Sequence, residues 1–189
     1  MHLNEEAENR EEWFALRVTY SRELKVKAQL DAIGIESYVP MHFETRTRNG
    51  QPRKVWAPLI HNLLFVRASA LRLRSLKSTT DLPIRYIMDR ASGSPAVIPE
   101  RQMRDFMAVV ATCDAHVEIV PPQSIELSRG DRVRVTGGPF AGIEGRYIRH
   151  KGHSKVAVAV RDIATALTAY VPAKFIEKLD PDTPITEKA

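Results

Sequence analysis

A single cysteine, Cys113, stands among 189 residues, which excludes a disulfide framework and any zinc site built from several cysteines. No window of the sequence approaches the roughly 18 consecutive apolar residues of a membrane-spanning helix. The N-terminal "MHLNEEAENREE" is acidic and lacks an apolar segment, so it is no secretory signal and reads as a solvated leader over residues 1–12. These absences describe a soluble protein of a reducing compartment, the cytoplasm, without membrane contact. Catalytic sets are missing too. Gly137 and Gly142 have the spacing of a phosphate-binding loop, but Ile143-Glu144 stand where Lys and Ser/Thr would meet the phosphates and magnesium. The β-branched segment that follows aims no helix N-terminus at an anion. Neither Gly-x-Gly-x-x-Gly nor the Gly-x-Ser-x-Gly elbow occurs. The histidines show no metalloprotease spacing, and His150 with His153 lacks a third ligand nearby. Cys113 follows a helical stretch beside Asp114, a poor setting for an activated thiolate. The expectation is no enzyme, no cofactor and no metal.

Charge is what the chain has in excess. Its net +5 conceals an acidic leader with five Glu and one Arg, a net of −4, which leaves +9 for residues 13–189. Arg46, Arg48, Arg53 and Lys54 fall between Thr45 and Trp56 with no acid among them. Eight Lys/Arg lie between Arg129 and Arg161 against two acids, Asp131 and Glu144. Such clusters suit a polyanion, most naturally nucleic acid, or else a solubilising surface.

With 43% hydrophobic residues the chain can bury a real core. Trp13–Tyr20 reads as a buried strand, and Ser21 as the N-cap of a helix to Ile33 that stops at Gly34. Val26, Leu30 and Ile33 would face inward, although Leu24, Val26, Ala28 and Leu30 also alternate like a strand. "IESYVPMHFETRTR" continues as a strand, Asn49-Gly50 signals a hairpin, and Val55–Val66 returns, interrupted near Pro58. A short basic helix over Ala70–Lys77, a strand in "LPIRYIM" and a helix with Pro99 at its first position follow. That helix sets Met103, Phe106, Met107 and Val110 on one face. The order indicates an α+β fold, an antiparallel sheet covered by helices. From Cys113 to Ser124 helical periodicity is lost and Pro121-Pro122 suggests a linker. About five short strands with glycine turns then suggest a compact β-barrel, with Val133, Val135, Ile143, Val156, Val158 and Val160 inward, before a tail over residues 181–189.

Five of nine glycines fall in "GDRVRVTGGPFAGIEGRY", residues 130–147. The stretch resembles a KOW motif: a Gly-led strand, Gly-Pro-Phe-x-Gly, and a Gly before the next strand, here Gly130, Gly138, Phe140, Gly142 and Gly145. "WFALRV", "PLIHNLLFV" and "PAVIPERQMRDFM" resemble the first strand, central strand and last helix of the NGN domain in the NusG family of transcription elongation factors. The likeness spans about Trp13 to Leu179 and implies a leader (1–12), an NGN domain (13–112), a linker (113–124), a small SH3-like KOW barrel (125–180) and a tail. Ile60-His61-Asn62-Leu63 stands where the housekeeping factor usually has Phe-Pro-Gly-Tyr. In that respect the chain is more similar to the specialised paralogues, RfaH and the UpxY antiterminators of Bacteroides capsular polysaccharide operons.

The resemblance implies a non-catalytic elongation and antitermination factor, expected as a monomer. It would bind the β′ clamp helices of RNA polymerase through Leu59, Ile60, Leu63, Phe65 and Tyr86. Period two sets Leu63 and Phe65 opposite Leu64 and Val66, so one face could fill the core while the other binds; the alternative is that all are core. Arg22, Lys25, Arg46, Arg48, Arg53 and Lys54 would face the DNA or RNA of the elongation complex, through its backbone. The KOW domain would carry a ribosomal or regulatory protein. Gly137-Gly138 and Gly142 would make the turn after the opening strand, Gly145 a close approach, and Phe140 either a plug or a partner contact. The rival is a KOW-type RNA- or ribosome-binding module centred on Arg129–Arg161 that acts without polymerase.

Overall fold

The structure is a computed structural model that describes residues 9–112, 115–121 and 130–180. The expectations for most of the leader, for the tail, for Cys113 and for the end of the linker lie outside these residues. Two compact units divide after Glu100.

The first unit begins with β1 (Glu11–Val18), so Glu11 and Glu12 belong to a strand and not to a leader. It continues through α1 (Glu23–Ala32), β2 (Glu36–Tyr38), β3 (Met41–Arg48), β4 (Gln51–Pro58), β5 (Leu63–Ser69), α2 (Ala70–Thr79), β6 (Ile84–Tyr86) and β7 (Val97–Ile98). The sheet order is β2-β5-β1-β6, with β7 also paired to β1, and every pairing is antiparallel. β1 and β5 read as nearly continuous apolar runs because both faces of each are covered. Phe14, Leu16, Val18, Leu64 and Val66 pack with Val26 and Leu30 of α1 and with Leu73 and Leu76 of α2. Each such side chain, taken fully from water, contributes on the order of 1.5–3 kcal/mol.

Where α1 starts is decided by its neighbours. Tyr20 and Ser21 have φ of 62° and 49°, a left-handed conformation in which Ser21 cannot serve as an extended N-cap. Arg22 takes the cap position without a side-chain bond. At the other end Gly34 (φ 68°) stops the helix as expected, and Arg72 Nη2 donates to the Ile33 and Gly34 carbonyls at 2.8 and 3.0 Å. Ile33 is past the last helical turn and is 48% exposed; Ile35 takes the inward place instead. α2 has the cap that α1 lacks, with Ser69 accepting from the Arg72 N–H at 3.2 Å.

The strand expected in "IESYVPMHFETRTR" breaks between β2 and β3, at Val39-Pro40, where proline can donate no ladder bond. β2 joins the sheet, whereas β3 pairs with β4 alone in a two-stranded ribbon running from Met41↔Pro58 to Arg48↔Gln51. Asn49 (φ 52°) and Gly50 (φ 72°) close it with the two positive φ values of a type I′ turn.

The second unit comprises α3 (Glu100–Ala111, its first residue at the division), β8 (Glu118–Val120), β9 (Asp131–Val135), β10 (Glu144–His150), β11 (His153–Val160), β12 (Ala164–Leu167) and β13 (Ile176–Lys178). α3 begins one residue after Pro99, buries Met103, Phe106 and Val110, and buries Val109 where Met107 was expected. α3 is hydrogen-bonded to its own unit at the turn after β11 and at the start of β10. Gln102 Oε1 accepts from the Arg161 N–H at 3.1 Å and Asp105 Oδ2 from the Glu144 N–H at 3.3 Å. The expected small barrel is a six-stranded antiparallel sheet of order β13-β9-β10-β11-β12-β8. Its first strand in sequence, β8, lies in the segment expected to be a linker and is recruited by pairing with β12. All six residues expected inward, Val133, Val135, Ile143, Val156, Val158 and Val160, are buried.

Leu16 lies fully buried at the centre of the first sheet. Leu16→Ala should lower stability by about 2–5 kcal/mol, seen as a lower urea midpoint with an unchanged slope.

Candidate nucleic-acid interface

The β3–β4 ribbon brings four of the six expected nucleic-acid cations onto one arm. Arg46, Arg48, Arg53 and Lys54 are all exposed. Period two divides them: Lys54 shares a face with Phe43 and Trp56, whereas Arg46, Arg48 and Arg53 share the reverse face with Glu44. Arg46 also pairs directly with Arg53, a like-charge pair that destabilises a ribbon with no core of its own. Arg46 Nε donates to Glu44 Oε1, and His42 lies 3.7 Å from the other carboxylate oxygen. Arg48 and Arg53 have no acidic partner among the described residues. Arg22 and Lys25 sit elsewhere, at the start of α1, with the Arg22 guanidinium 5.5 Å from the centre of the Tyr20 ring.

The cations of the second unit are arranged in the opposite way. Glu144 takes Arg101 at 2.5 Å, Arg134 at 2.7 Å and Arg132 at 3.8 Å. Arg146 donates to the Gly130 carbonyl at 2.9 Å. Lys151 and the buried Lys155 both reach Glu118, at 2.7 and 2.9 Å, and Lys155 also donates to the His116 carbonyl. These hydrogen bonds hold the Glu118 carboxyl down to about 2. Burial pushes the Asp105 carboxyl up, against the Glu144 N–H and the nearby Arg101 and Arg104. The sequence cluster over Arg129–Arg161 is thus largely occupied in holding its own unit together.

The glycine stretch is also structural. Gly138 (φ 78°) and Gly142 (φ 87°) turn the chain after β9, and Gly142 N–H closes the turn onto the Val135 carbonyl at 2.7 Å. A Cβ on Gly145 would lie 2.4 Å from the Ala157 carbonyl oxygen, so β10 and β11 pair closely only with glycine there. A Cβ on Gly130 would meet the Tyr147 carbonyl at 2.9 Å. Phe140 is 3% exposed, a buried ring and not an exposed one.

The apolar positions expected to dock on polymerase divide sharply. Leu63 and Phe65 are 1% and 0% exposed, which corrects the expectation of an exposed patch at these two residues: both faces of β5 are covered. Leu59 and Ile60, in the turn between β4 and β5, are half-buried, as is Tyr86, whose hydroxyl donates to the Leu73 carbonyl. Two residues that sequence reasoning passed over shape this turn. Asn62 adopts φ 59°; its carbonyl accepts from the Val18 N–H at 3.0 Å and its Oδ1 from the Ser21 N–H at 3.1 Å. Its own N–H is taken by Glu23 Oε1, a carboxylate that is 1% exposed. The available signal was an asparagine just before a strand, a residue type that tolerates this conformation.

Residues 11–107, just over half of the chain, match the family model described as "NusG: Transcription termination factor nusG". The chain belongs to the NusG family. NusG-family proteins are non-catalytic transcription factors that bind RNA polymerase. Seventeen solved chains match, among them "Domain interaction in Thermotoga maritima NusG", at 18% identity and a TM-score of 0.46, over 90% of this chain and 98% of that one. No curated protein matches. Among the described residues, no helix of this NusG-family chain is long and apolar enough to cross a membrane.

Glu118 supplies a pH test of the second unit's charge economy. Its folded value of about 2 lies below the ordinary 4.5, so its contribution is full above pH ~4.5 and disappears as pH falls towards about 2. Glu118→Gln should therefore lower the urea midpoint at neutral pH and flatten its decline across that acid window.

Proposed function

We propose that this chain is a non-catalytic transcription elongation and antitermination factor that acts in the cytoplasm on RNA polymerase. Its first unit engages the β′ clamp helices, and its second, KOW-type unit carries a ribosomal or regulatory protein. The observation behind this reading is the family match over residues 11–107. Preferential binding to the processive state of polymerase would lower the population of paused and terminating complexes without any chemistry by the factor.

The contact we assign to polymerase is the Leu59–Ile60 turn, together with the half-buried Tyr86 of β6, not the buried Leu63 and Phe65. A partner helix needs apolar atoms it can reach, and the Glu23–Asn62 hydrogen bond gives the turn a fixed shape to present. Nucleic-acid contacts fall to the ribbon cations and to Arg22 and Lys25, through phosphates and hence with strong salt dependence. Capsular or surface polysaccharide operons are the proposed targets, on the strength of Ile60-His61-Asn62-Leu63. A module acting on RNA alone through Arg129–Arg161 is disfavoured, because most of those cations are engaged internally.

Retention of RNA polymerase on the immobilised full chain, with pause lifetimes measured on the same preparation, tests the reading. Ile60→Asp should weaken retention roughly 30-fold or more, the effect of a hot spot of about 2 kcal/mol. Polymerase that ignores the parent chain would overturn the function; parent-like behaviour of Ile60→Asp would overturn only the placement of the contact.

A further inference from the structure

We propose that the aromatic face of the β3–β4 ribbon is a stacking site for unpaired bases of single-stranded RNA. The inference rests on the reading of the ribbon as a nucleic-acid surface and requires no polymerase. The register sets Phe43, Thr45, Thr47, Lys54 and Trp56 on one face. Phe43 and Trp56 are 51% and 48% exposed, with ring centres 4.6 Å apart and planes tilted by 56°. The Lys54 ammonium lies 4.7 Å from the centre of the Phe43 ring.

A cross-strand aromatic pair steadies a ribbon by itself. That role does not explain the opposed Arg46 and Arg53 on the reverse face, which weaken the same ribbon, and the ammonium over the Phe43 ring leaves the indole of Trp56 as the face open to a base. Both features fit a polyanion with accessible π-faces. Phosphates would neutralise Lys54 and the arginines, while a base would stack on the exposed indole of Trp56. Duplexes do not qualify, since their base faces are already stacked on one another. Thr45 and Thr47 place two exposed hydroxyls on the aromatic face. A hydroxyl both donates and accepts, and so complements the ribose 2′-OH that distinguishes RNA from DNA.

The full chain is titrated into a labelled oligouridylate of about 12 nucleotides, within the ~4–16 nucleotides that one small module covers. Oligodeoxyuridylate of the same length and an RNA duplex are run beside it. The oligouridylate should bind with an affinity that falls steeply with salt and should quench tryptophan emission, since the other tryptophan, Trp13, is buried. Trp56→Ala should weaken binding by roughly 5- to 150-fold, the range of losses for one stacked base. Trp56→Phe should keep most of the affinity, and Thr45→Val with Thr47→Val should bring RNA down to the level of DNA. Circular dichroism confirms the fold of each variant. The proposal fails if the oligouridylate does not bind or does not quench, or if a folded Trp56→Ala binds like the parent. It fails equally if deoxyuridylate or duplex RNA binds as tightly. Retention of RNA polymerase by the same Trp56→Ala protein would leave the proposed function standing.

Discussion

A carboxylate with almost none of its surface in water survives only where its oxygens are hydrogen-bonded, and Glu23 meets that condition through the backbone of Asn62. One residue thereby ties the start of α1 to the entry of β5. Asn62 extends the tie to the end of β1 through Val18 and to the α1 approach through Ser21. Glu23 also sits in the first turn of α1, where the helix dipole favours negative charge. The left-handed residues at 20, 21 and 62 are tolerable because these bonds hold them there. The Leu59–Ile60 turn is therefore held after its apolar pair by a buried acid, and at Leu59 by an N–H that donates to the Pro40 carbonyl at 2.7 Å.

The two units use positive charge for different ends. In the second, Glu144 and Glu118 each gather several cations, so much of a basic sequence is neutralised within its own unit. In the ribbon, one acid faces three arginines, and two of these lack a counter-charge among the described residues. Net charge by itself could not separate the cases. What distinguishes them is whether the chain supplies the opposite sign within reach, and the ribbon leaves most of it to be supplied from outside.

Elements specified by local chemistry were legible from the residues. The Asn49-Gly50 turn needs two positive φ values that few other pairs accept, and the alternating valines of β9 and β11 leave one way to bury themselves. Features that depend on a distant partner were not. Ser21 looks like a cap until Asn62 takes its N–H; Glu118–Val120 looks like a linker until β12 offers an edge. Alternation correctly set Leu63 and Phe65 opposite Leu64 and Val66, but which faces stay open is a tertiary property, and here neither does. The family resemblance was visible in "WFALRV" and "PLIHNLLFV", and the match over residues 11–107 bears it out. Nothing local marks Trp56 as exposed, because an aromatic in a strand is ordinarily core and the separation of its ribbon from the sheet is a tertiary property.

That separation has a further consequence for the ribbon's own survival. Two strands paired only with each other leave an open edge on either side, a template on which another chain could add as a third strand. Pro52 removes one donor from β4, and the crowd of arginines makes a second copy of the ribbon an unwelcome neighbour. Mutual repulsion between identical arms opposes their pairing edge to edge. The charge proposed to meet a polyanion thus also works against the pairing of one such arm with another.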